Sequence, residues 1–123
     1  MFGSDGGSGE SLTGHPRTFG TFTRVLGRYV RERNIISLEN AIKKMTYLPA
    51  MVYNLSTKGL IREGMDADLV LFDPATISDL GTFARPALGN TGIDYVLVNG
   101  KIAVENNKVT GVLAGKSMFR NTK

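Results

Sequence analysis

The chain has 123 residues, of which 41% are hydrophobic and 21% charged, a composition that is ordinary for a globular protein. It carries 15 Lys and Arg against 11 Asp and Glu, a net charge of +4, with one histidine and no cysteine. The missing cysteines exclude disulfides, thiolate zinc sites, iron–sulfur clusters and a cysteine nucleophile, and one histidine excludes a metal cage built from several imidazoles of this chain.

The N-terminal segment is rich in glycine and lacks the basic start and apolar stretch of a signal peptide. Five of the 15 glycines fall within residues 1–14, which predicts a loop with a permissive backbone. No stretch of the sequence reaches the roughly 18 apolar residues expected of a membrane span. We therefore expect a cytoplasmic protein that does not associate with membranes.

The pattern from Thr21 onward predicts an amphipathic helix. Its apolar positions recur at the spacing of one helical face. They are Phe22, Val25, Leu26, Tyr29 and Val30. Arg24, Arg28 and Arg31 share a second face. Because acidic residues interrupt the basic charge and no aromatic side chains are interleaved, we expect a solvated or partner-facing helix that does not bind nucleic acid.

Two shorter helices are predicted next. Ser37 is a favourable N-cap for the second helix, which has an apolar stripe. Pro49 suits the first turn of a third helix that runs to about Leu55, and Gly59 ends the helical region. The stripe of the second helix consists of Leu38, Ala41, Ile42 and Met45.

After the helical region the pattern changes to strands. The apolar run at 69–72, closed by an Asp-Pro pair, predicts a strand covered on both faces. Asp66, Asp68 and Asp73 flank this strand, and we expect them in turn and capping roles. The glycine-containing segment 77–93 is predicted to be a loop.

The strongest local signal in the C-terminal half is Asn99-Gly100, which lies between two apolar runs at 95–98 and 101–104. Asn-Gly supplies the two positive φ angles of a type I′ turn, so the sequence predicts a β-hairpin. Asn residues at 106–107 predict a second turn.

Helices in one block and strands in the next indicate an α+β fold, with N-terminal helices followed by a small antiparallel or mixed β-sheet. The helices have no sheet of their own, and three or four strands make a thin sheet with open edges. Each half is therefore expected to cover another surface. A homo-oligomer joined through exposed apolar faces is one such arrangement.

Three residues near the N-terminus are candidates for chemistry. Asp5 lies among glycines, where a ligand or metal can approach the backbone closely, although a loop Asx-turn is the simpler explanation. Arg17 can bind a carboxylate in bidentate fashion or lie in solvent. His15 is either a hydrogen-bonding residue or a ligand. Their spacing alone leaves these alternatives open.

Two groups of short motifs stand out in the sequence. The first group comprises Gly3-Ser4-Asp5-Gly6, His15-Pro16-Arg17, Gly20-Thr21-Phe22 and VLGRYVRE at 25–32. The second comprises GLIREGMDADLVLFDP at 59–74 and VLVNG at 96–100. The first group resembles the C-terminal part of N-acyl-D-amino-acid deacylases, the D-aminoacylases. The second resembles a signature of the whole amidohydrolase superfamily.

The resemblance implies a zinc-dependent amide hydrolase with a (β/α)₈ barrel and a small β-sandwich. Residues 1–58 would form the end of the last barrel strand, the active-site loop and helices, and residues 59–123 the C-terminal strands of the sandwich. Asp5 matches the catalytic aspartate that ends the last barrel strand, lies at the metal and handles the proton of the attacking water. Arg17 matches the arginine that binds the substrate α-carboxylate, and no metal role is carried over to His15.

The other metal ligands of the resembled family lie upstream of the segment that this chain matches. We therefore expect the C-terminal portion of an enzyme that acts on an N-acyl-D-amino acid, inactive by itself and without bound zinc. A non-catalytic interaction or scaffold module derived from the β-sandwich is the alternative. Amidohydrolases of cyclic amides or nucleobases are rivals that would share the stretch at 67–74 but not the His-Pro-Arg motif.

Overall fold

The computed structural model describes residues 1–7 and 14–118. Residues 8–13 of the predicted N-terminal loop therefore lie outside the described residues. The helical elements are α1 (Arg17–Arg24), a π-helical segment that continues it (Val25–Glu32), α2 (Leu38–Met45) and α3 (Tyr47–Val52). The strands are β1 (Leu69–Phe72), β2 (Ser78–Asp79), β3 (Asn90–Thr91), β4 (Ile93–Val98), β5 (Lys101–Glu105) and β6 (Lys108–Val109). The chain is a small α+β structure, as predicted.

The first helix begins at Arg17, four residues before its predicted start at Thr21. Pro16 has a φ of −53°, which already suits a helix, and its carbonyl accepts hydrogen bonds from the following turn. From Val25 onward the helix widens to π geometry, in which an N–H bonds a carbonyl five residues earlier. Gly27 lies in this segment because an added Cβ would come within 2.6 Å of a backbone carbonyl oxygen.

Helix α2 confirms its prediction, with the hydroxyl of Ser37 accepting a hydrogen bond from the backbone N–H of Asn40. Helix α3 begins two residues earlier than predicted and ends at Val52. Pro49 is tolerated in its first turn because the first N–H groups of a helix have no intrahelical acceptor. Gly59 follows the helices with a φ of +86°, a left-handed conformation that favours glycine.

Four strands form an antiparallel sheet in the order β1-β4-β5-β6. The predicted hairpin is confirmed, since β4 pairs with β5 across Asn99 and Gly100, whose φ angles are +48° and +74°. The second predicted turn connects β5 to β6 through Asn106 and Asn107, which also have positive φ.

Two predictions for the strands are wrong. The segment 77–93 is not all loop, because β2 and β3 pair within it as a separate antiparallel sheet. Strand β1 is not covered on both faces, since Val70 and Leu71, which point to opposite faces, are each 56% exposed. Its continuous apolar run predicted a cover that the described residues do not supply.

The buried core lies in the helical region and not in the four-stranded sheet. Val25, Leu26 and Ala41 form it together with Ile77, which follows β1 in the chain and is 2% exposed. A residue of the C-terminal half therefore completes the core of the N-terminal half. This packing fixes helix α1, which carries the candidate site at its first turn.

Candidate functional site

The structure brings Asp5 and Arg17 into direct contact. The Arg17 Nη2 lies 2.9 Å from Asp5 Oδ2, and its Nε donates a hydrogen bond of 3.1 Å to the Asp5 backbone carbonyl. Asp5 has a φ of +49°, and its side chain is 86% exposed. The first residue of α1 thus binds both the backbone and the carboxylate of the glycine-rich loop.

Two further contacts place this loop on the helices. The backbone N–H of Phe2 donates to the carbonyl of Lys44 near the end of α2, at 3.2 Å. Gly6 approaches α1 closely, because an added Cβ would lie 3.0 Å from the Thr18 Cα. A side chain at residue 6 would therefore push the loop, and Asp5 with it, away from Arg17.

His15 is a hydrogen-bonding residue in the described structure. Its Nδ1 accepts a hydrogen bond of 3.1 Å from the backbone N–H of Arg17. Its ring also packs edge-to-face on Phe83, with 4.9 Å between the ring centroids and an angle of 83° between the planes. His15 therefore connects the first turn of α1 to the loop between β2 and β3.

A cleft of about 290 Å³ opens beside these residues. Its walls include His15, Arg17, Thr21, Arg24, Thr82 and Phe83. The two arginines lie on one side of α1, and Phe83 comes from the loop that follows β2. The cleft therefore combines residues from both halves of the chain, and Arg17 connects it to Asp5.

The small β2–β3 sheet packs on α1 next to this cleft. Arg24 contacts Asp79 Oδ2 through Nη2 at 2.8 Å and through Nε at 2.9 Å. The Asp79 side chain is only 8% exposed, so the ion pair neutralises a buried carboxylate. Asn90 donates to the Phe19 carbonyl at 3.0 Å and accepts from the Thr23 hydroxyl at 2.5 Å.

The arginine face of the first helix, which the sequence predicted to be solvated or partner-facing, has two of its three arginines bound within the chain. Arg24 binds Asp79, while Arg31 donates to the carbonyls of Ile77 at 2.7 Å and Pro74 at 3.1 Å. Arg28 alone of the three is exposed. The acceptors come from a segment 43 to 55 residues further along the chain, so helical spacing could not reveal them.

Sequence reasoning missed Asp79, Phe83 and Asn90, which all lie in the segment predicted to be a loop. Strands of two residues leave no alternation to detect. The glycines at 81 and 92 were the available signal, because an added Cβ at either would come within 2.6 Å of backbone atoms. Such close approaches mark a packed segment.

Lys58 joins the helical region to the hairpin through two carboxylates. Its ammonium lies 3.0 Å from Asp66 Oδ2 and also contacts Asp68. Asp66 accepts from the Thr57 hydroxyl at 2.7 Å, and Asp68 accepts from the backbone N–H of Asn99 at 2.8 Å. Both aspartates therefore connect segments through Lys58, where the sequence predicted turn and capping roles.

These contacts shift the titration of all three groups. The Thr57 hydroxyl and the Lys58 ammonium lower the pKa of Asp66. The Asn99 backbone N–H and Lys58 lower the pKa of Asp68, and hydrogen bonding to Asp68 raises the pKa of Lys58. Hydrogen bonds that favour the charged form explain each direction.

Asp73 confirms its predicted turn role. Its carboxylate accepts hydrogen bonds from the backbone N–H of Ala75 at 2.8 Å and from the Thr76 hydroxyl at 2.9 Å. These bonds, the backbone N–H first, lower the pKa of Asp73. The turn also directs Ile77 into the core.

The donor set of residues 1–7 and 14–118 does not by itself fit a zinc site. Within those ranges no three His, Asp or Glu side chains lie close enough together to hold a metal ion. Structural zinc takes four protein ligands and catalytic zinc usually three. Asp5 could contribute one carboxylate oxygen, and the others would have to come from elsewhere.

Comparison with known proteins defines the class of protein to which this chain belongs. A profile described as the amidohydrolase family matches residues 1–104. The chain is 50% identical over 100 residues to an N-acyl-D-glutamate deacylase of Alcaligenes xylosoxydans xylosoxydans, which covers 81% of this chain and 20% of that enzyme. It is 43% identical over 120 residues to a D-aminoacylase of the same organism, covering 98% of this chain and 25% of the enzyme.

Solved structures agree with these matches. A crystal structure of D-aminoacylase superposes with a TM-score of 0.83 at 45% identity, covering 86% of this chain and 22% of that one. A second match is an N-acyl-D-glutamate deacylase of Bordetella bronchiseptica, complexed with zinc and a phosphonate mimic of the tetrahedral intermediate. It superposes with a TM-score of 0.72 at 44% identity, covering 82% of this chain and 22% of that one. A binuclear metal centre has been studied in D-aminoacylase.

The chain therefore belongs to the amidohydrolase family, whose members hydrolyse amide bonds. Within the family, its similar proteins include deacylases of N-acyl-D-amino acids, which confirms the resemblance found in the sequence motifs. The chain spans a fifth to a quarter of the length of these curated relatives.

Two expectations about location and assembly stay predictions. No helix within the described part of the chain is long and apolar enough to cross a membrane. The cytoplasmic location and the homo-oligomer were predicted from the sequence, and nothing in the fold tests either of them.

Proposed function

We propose that this chain forms the C-terminal part of a zinc-dependent deacylase of N-acyl-D-amino acids, in which Asp5 is the catalytic residue and Arg17 binds the substrate. One observation carries the proposal. In a chain 43–50% identical to such deacylases, two residues 12 positions apart are joined as an ion pair of 2.9 Å beside an open cleft. The carboxylate can accept a proton from an attacking water, and the guanidinium can bind the carboxylate of a substrate.

The proposal extends to the architecture. Residues 1–58 would supply the end of the last barrel strand, the active-site loop and the helices that follow it. Residues 59–123 would supply the C-terminal strands of a β-sandwich. The exposed apolar side chains of β1 support the second assignment, since the inner face of a sandwich strand packs on a second sheet.

Arg17 has the donors to bind a substrate carboxylate while it holds Asp5. A guanidinium has five N–H donors, and the contacts with Asp5 use the edge formed by Nε and Nη2. The end formed by Nη1 and the second hydrogen of Nη2 matches a carboxylate in bidentate geometry. The α-carboxylate of an N-acyl-D-amino acid would therefore bind within one side-chain width of Asp5.

Asp5 is suited to accept a proton from an attacking water. An ionised carboxylate is an acceptor only, and Arg17 occupies Oδ2 while the side chain stays exposed. General-base assistance of this kind contributes about 10²–10⁴-fold to a rate. A bound zinc ion would make the water more acidic, and Asp5 would supply one of its ligands.

The test compares two proteins in the presence of zinc, namely the 123-residue chain and a longer protein in which an upstream amidohydrolase barrel precedes it. The release of free D-amino acid from N-acetyl-D-amino acids is the readout. We expect hydrolysis by the longer protein only. Hydrolysis by the short chain would contradict the assignment of the remaining ligands to an upstream part. Inactivity of both proteins would favour the non-catalytic scaffold module.

A further inference from the structure

A histidine supplies the side-chain acceptor at the start of helix α1. The His15 Nδ1 accepts a hydrogen bond of 3.1 Å from the Arg17 backbone N–H, and the His15 carbonyl accepts one of 3.1 Å from the Thr18 N–H. Pro16 lies between them and has no N–H to satisfy. The first N–H groups of a helix lack intrahelical acceptors, and Ser, Thr, Asp or Asn usually supplies the side-chain acceptor. His15 therefore has a capping role that a smaller side chain could also perform.

The imidazole ring adds a contact that a smaller capping side chain lacks. It packs edge-to-face on Phe83, with 4.9 Å between the ring centroids. The loop that carries Phe83 is closed by a backbone hydrogen bond of 3.1 Å between Leu80 and Gly89. Pro16 is buried, and a Cβ added to Gly81 in this loop would lie 3.4 Å from the Pro16 Cβ. The loop between β2 and β3 therefore packs on the residues that begin α1.

Arg17 connects this capping contact to the candidate site. Its backbone N–H donates to His15, while its Nε and Nη2 bind Asp5. The Arg17 side chain is 46% exposed, so hydrogen bonds at its two ends define its position more than burial does. A long side chain loses rotamer freedom when it binds a ligand, and a contact that fixes it beforehand lowers that cost.

We propose that His15 is a positioning residue whose imidazole holds the Arg17 backbone, so that the guanidinium is in place for the α-carboxylate of the substrate. This inference rests on the proposed function and adds a residue that acts through Arg17 and not on the amide bond that is broken. The Nδ1 atom supplies the acceptor, and the ring supplies the contact with the Phe83 loop. Because the effect passes through substrate binding, it changes KM and not kcat.

The test measures kcat and KM of the zinc-loaded, barrel-containing enzyme with whichever of N-acetyl-D-leucine and N-acetyl-D-glutamate it hydrolyses faster. His15→Phe keeps an aromatic ring but has no acceptor, and it should raise KM about fivefold with kcat unchanged. His15→Asn restores an acceptor that can reach the N–H two residues ahead, so KM should return to within about twofold of the unsubstituted value. His15→Leu, which also lacks an acceptor, takes the place of His15→Phe if the phenylalanine variant does not fold.

A double variant separates positioning from a general structural effect. In an Arg17→Gln background, His15→Phe should raise KM by less than about a further twofold, because the arginine through which it acts is absent. Ser37→Ala is the matched control, since it removes the capping hydrogen bond of α2 and Ser37 does not line the cleft. It should leave KM unchanged.

Four results would overturn the inference. They are an equal rise in KM for His15→Phe and His15→Asn, an undiminished rise on top of Arg17→Gln, a fall in kcat with KM unchanged, and a similar rise in KM for Ser37→Ala. An active enzyme whose KM is unchanged by His15→Phe would refute the role of His15 alone. If the unsubstituted enzyme hydrolysed no N-acyl-D-amino acid, the proposed function itself would fail.

Discussion

The two halves of the chain are stabilised differently. The helical half has a buried core, in which Ala41 is fully buried and Ile77 nearly so. The four-stranded sheet is joined across three strand pairs, with register shifts in two of them, yet Val70 and Leu71 remain about half exposed and Val109 is more so. Hydrogen bonds define the sheet, whereas apolar burial supplies most of the free energy of folding.

This difference shows where the candidate site obtains its rigidity. Asp5 and Arg17 lie on the half that is packed, and the small β2–β3 sheet is part of that packing through Asp79 and Asn90. The large sheet is joined to it through Lys58 and the turn at Asp73. Substitutions at the packed side should therefore cost more stability than similar substitutions in the large sheet.

The largest effect is expected from Ile77→Ala. Removing a buried isoleucine side chain from the core should lower the free energy of unfolding by about 3 kcal/mol, since such truncations typically cost 2–5 kcal/mol. Urea denaturation followed by circular dichroism measures this. Val109→Ala is the control in the sheet, because Val109 is exposed, and it should change stability by less than about 0.5 kcal/mol. Equal losses in both variants would contradict the comparison.

A smaller loss is expected from Gly27→Ala. The added Cβ would lie 2.6 Å from the Ile77 carbonyl oxygen, so the π-helical segment and the β2 strand must move apart. The strain should exceed the gain in helix propensity and destabilise the protein by about 1–2 kcal/mol. Gly115→Ala, where nothing lies within 4 Å, is the control in the same denaturation experiment. A stabilised Gly27→Ala variant would show that the two segments are not packed as described.

Arg24→Met should have an effect of about 1–2 kcal/mol, because it leaves the buried Asp79 carboxylate without its charged partner. Methionine keeps the length of the aliphatic stem, so the change tests the charge rather than the packing. Arg28→Met is the matched control on the same helix, since Arg28 is exposed. Thermal unfolding should distinguish the two variants. Identical transitions would contradict the claim that the Arg24–Asp79 ion pair stabilises the fold.

The smallest effect concerns pH. The pKa values of Asp66 and Asp68 are lowered below their ordinary 3.8, so these carboxylates stabilise the fold above that pH and lose this contribution as pH falls through their folded values. The pKa of Lys58 is raised above 10.5, so its contribution is complete below that pH and is lost as pH rises through the folded value.

The difference in melting temperature between the unsubstituted chain and Asp68→Asn should therefore be larger at pH 6 than at pH 3. Asp94→Asn, a change of an exposed aspartate in β4, is measured in parallel as the control for an aspartate-to-asparagine substitution. A difference for Asp68→Asn that stays constant between the two pH values would exclude the ion-paired network as its source.

The sequence predicted the features that are encoded locally. The Ser37 cap, the stripe that contains Ala41 and the Asn99-Gly100 turn are each determined by a few neighbouring residues, and the structure confirms all three. The exposure of β1 could not be predicted. A continuous apolar run indicates that a strand packs against other elements, but it does not show whether this chain contains them.

Long-range contacts could not be predicted from the sequence patterns either. Ile77 reaches the helical core, and Asp79 reaches Arg24, across more than 35 residues. Neither lies in an element long enough to show a period. For the site, the family motifs suggested Asp5 and Arg17, whereas the structure adds their ion pair and the neighbouring Phe83.

The central claim is that Asp5 acts in the chemical step and Arg17 in substrate binding. The most direct test is steady-state hydrolysis of N-acetyl-D-leucine by the zinc-loaded, barrel-containing enzyme and its Asp5→Asn and Arg17→Gln variants. The account predicts that Asp5→Asn lowers kcat by about 10²-fold or more, whereas Arg17→Gln chiefly raises KM. An Asp5→Asn variant that retains the kcat of the unsubstituted enzyme would contradict it.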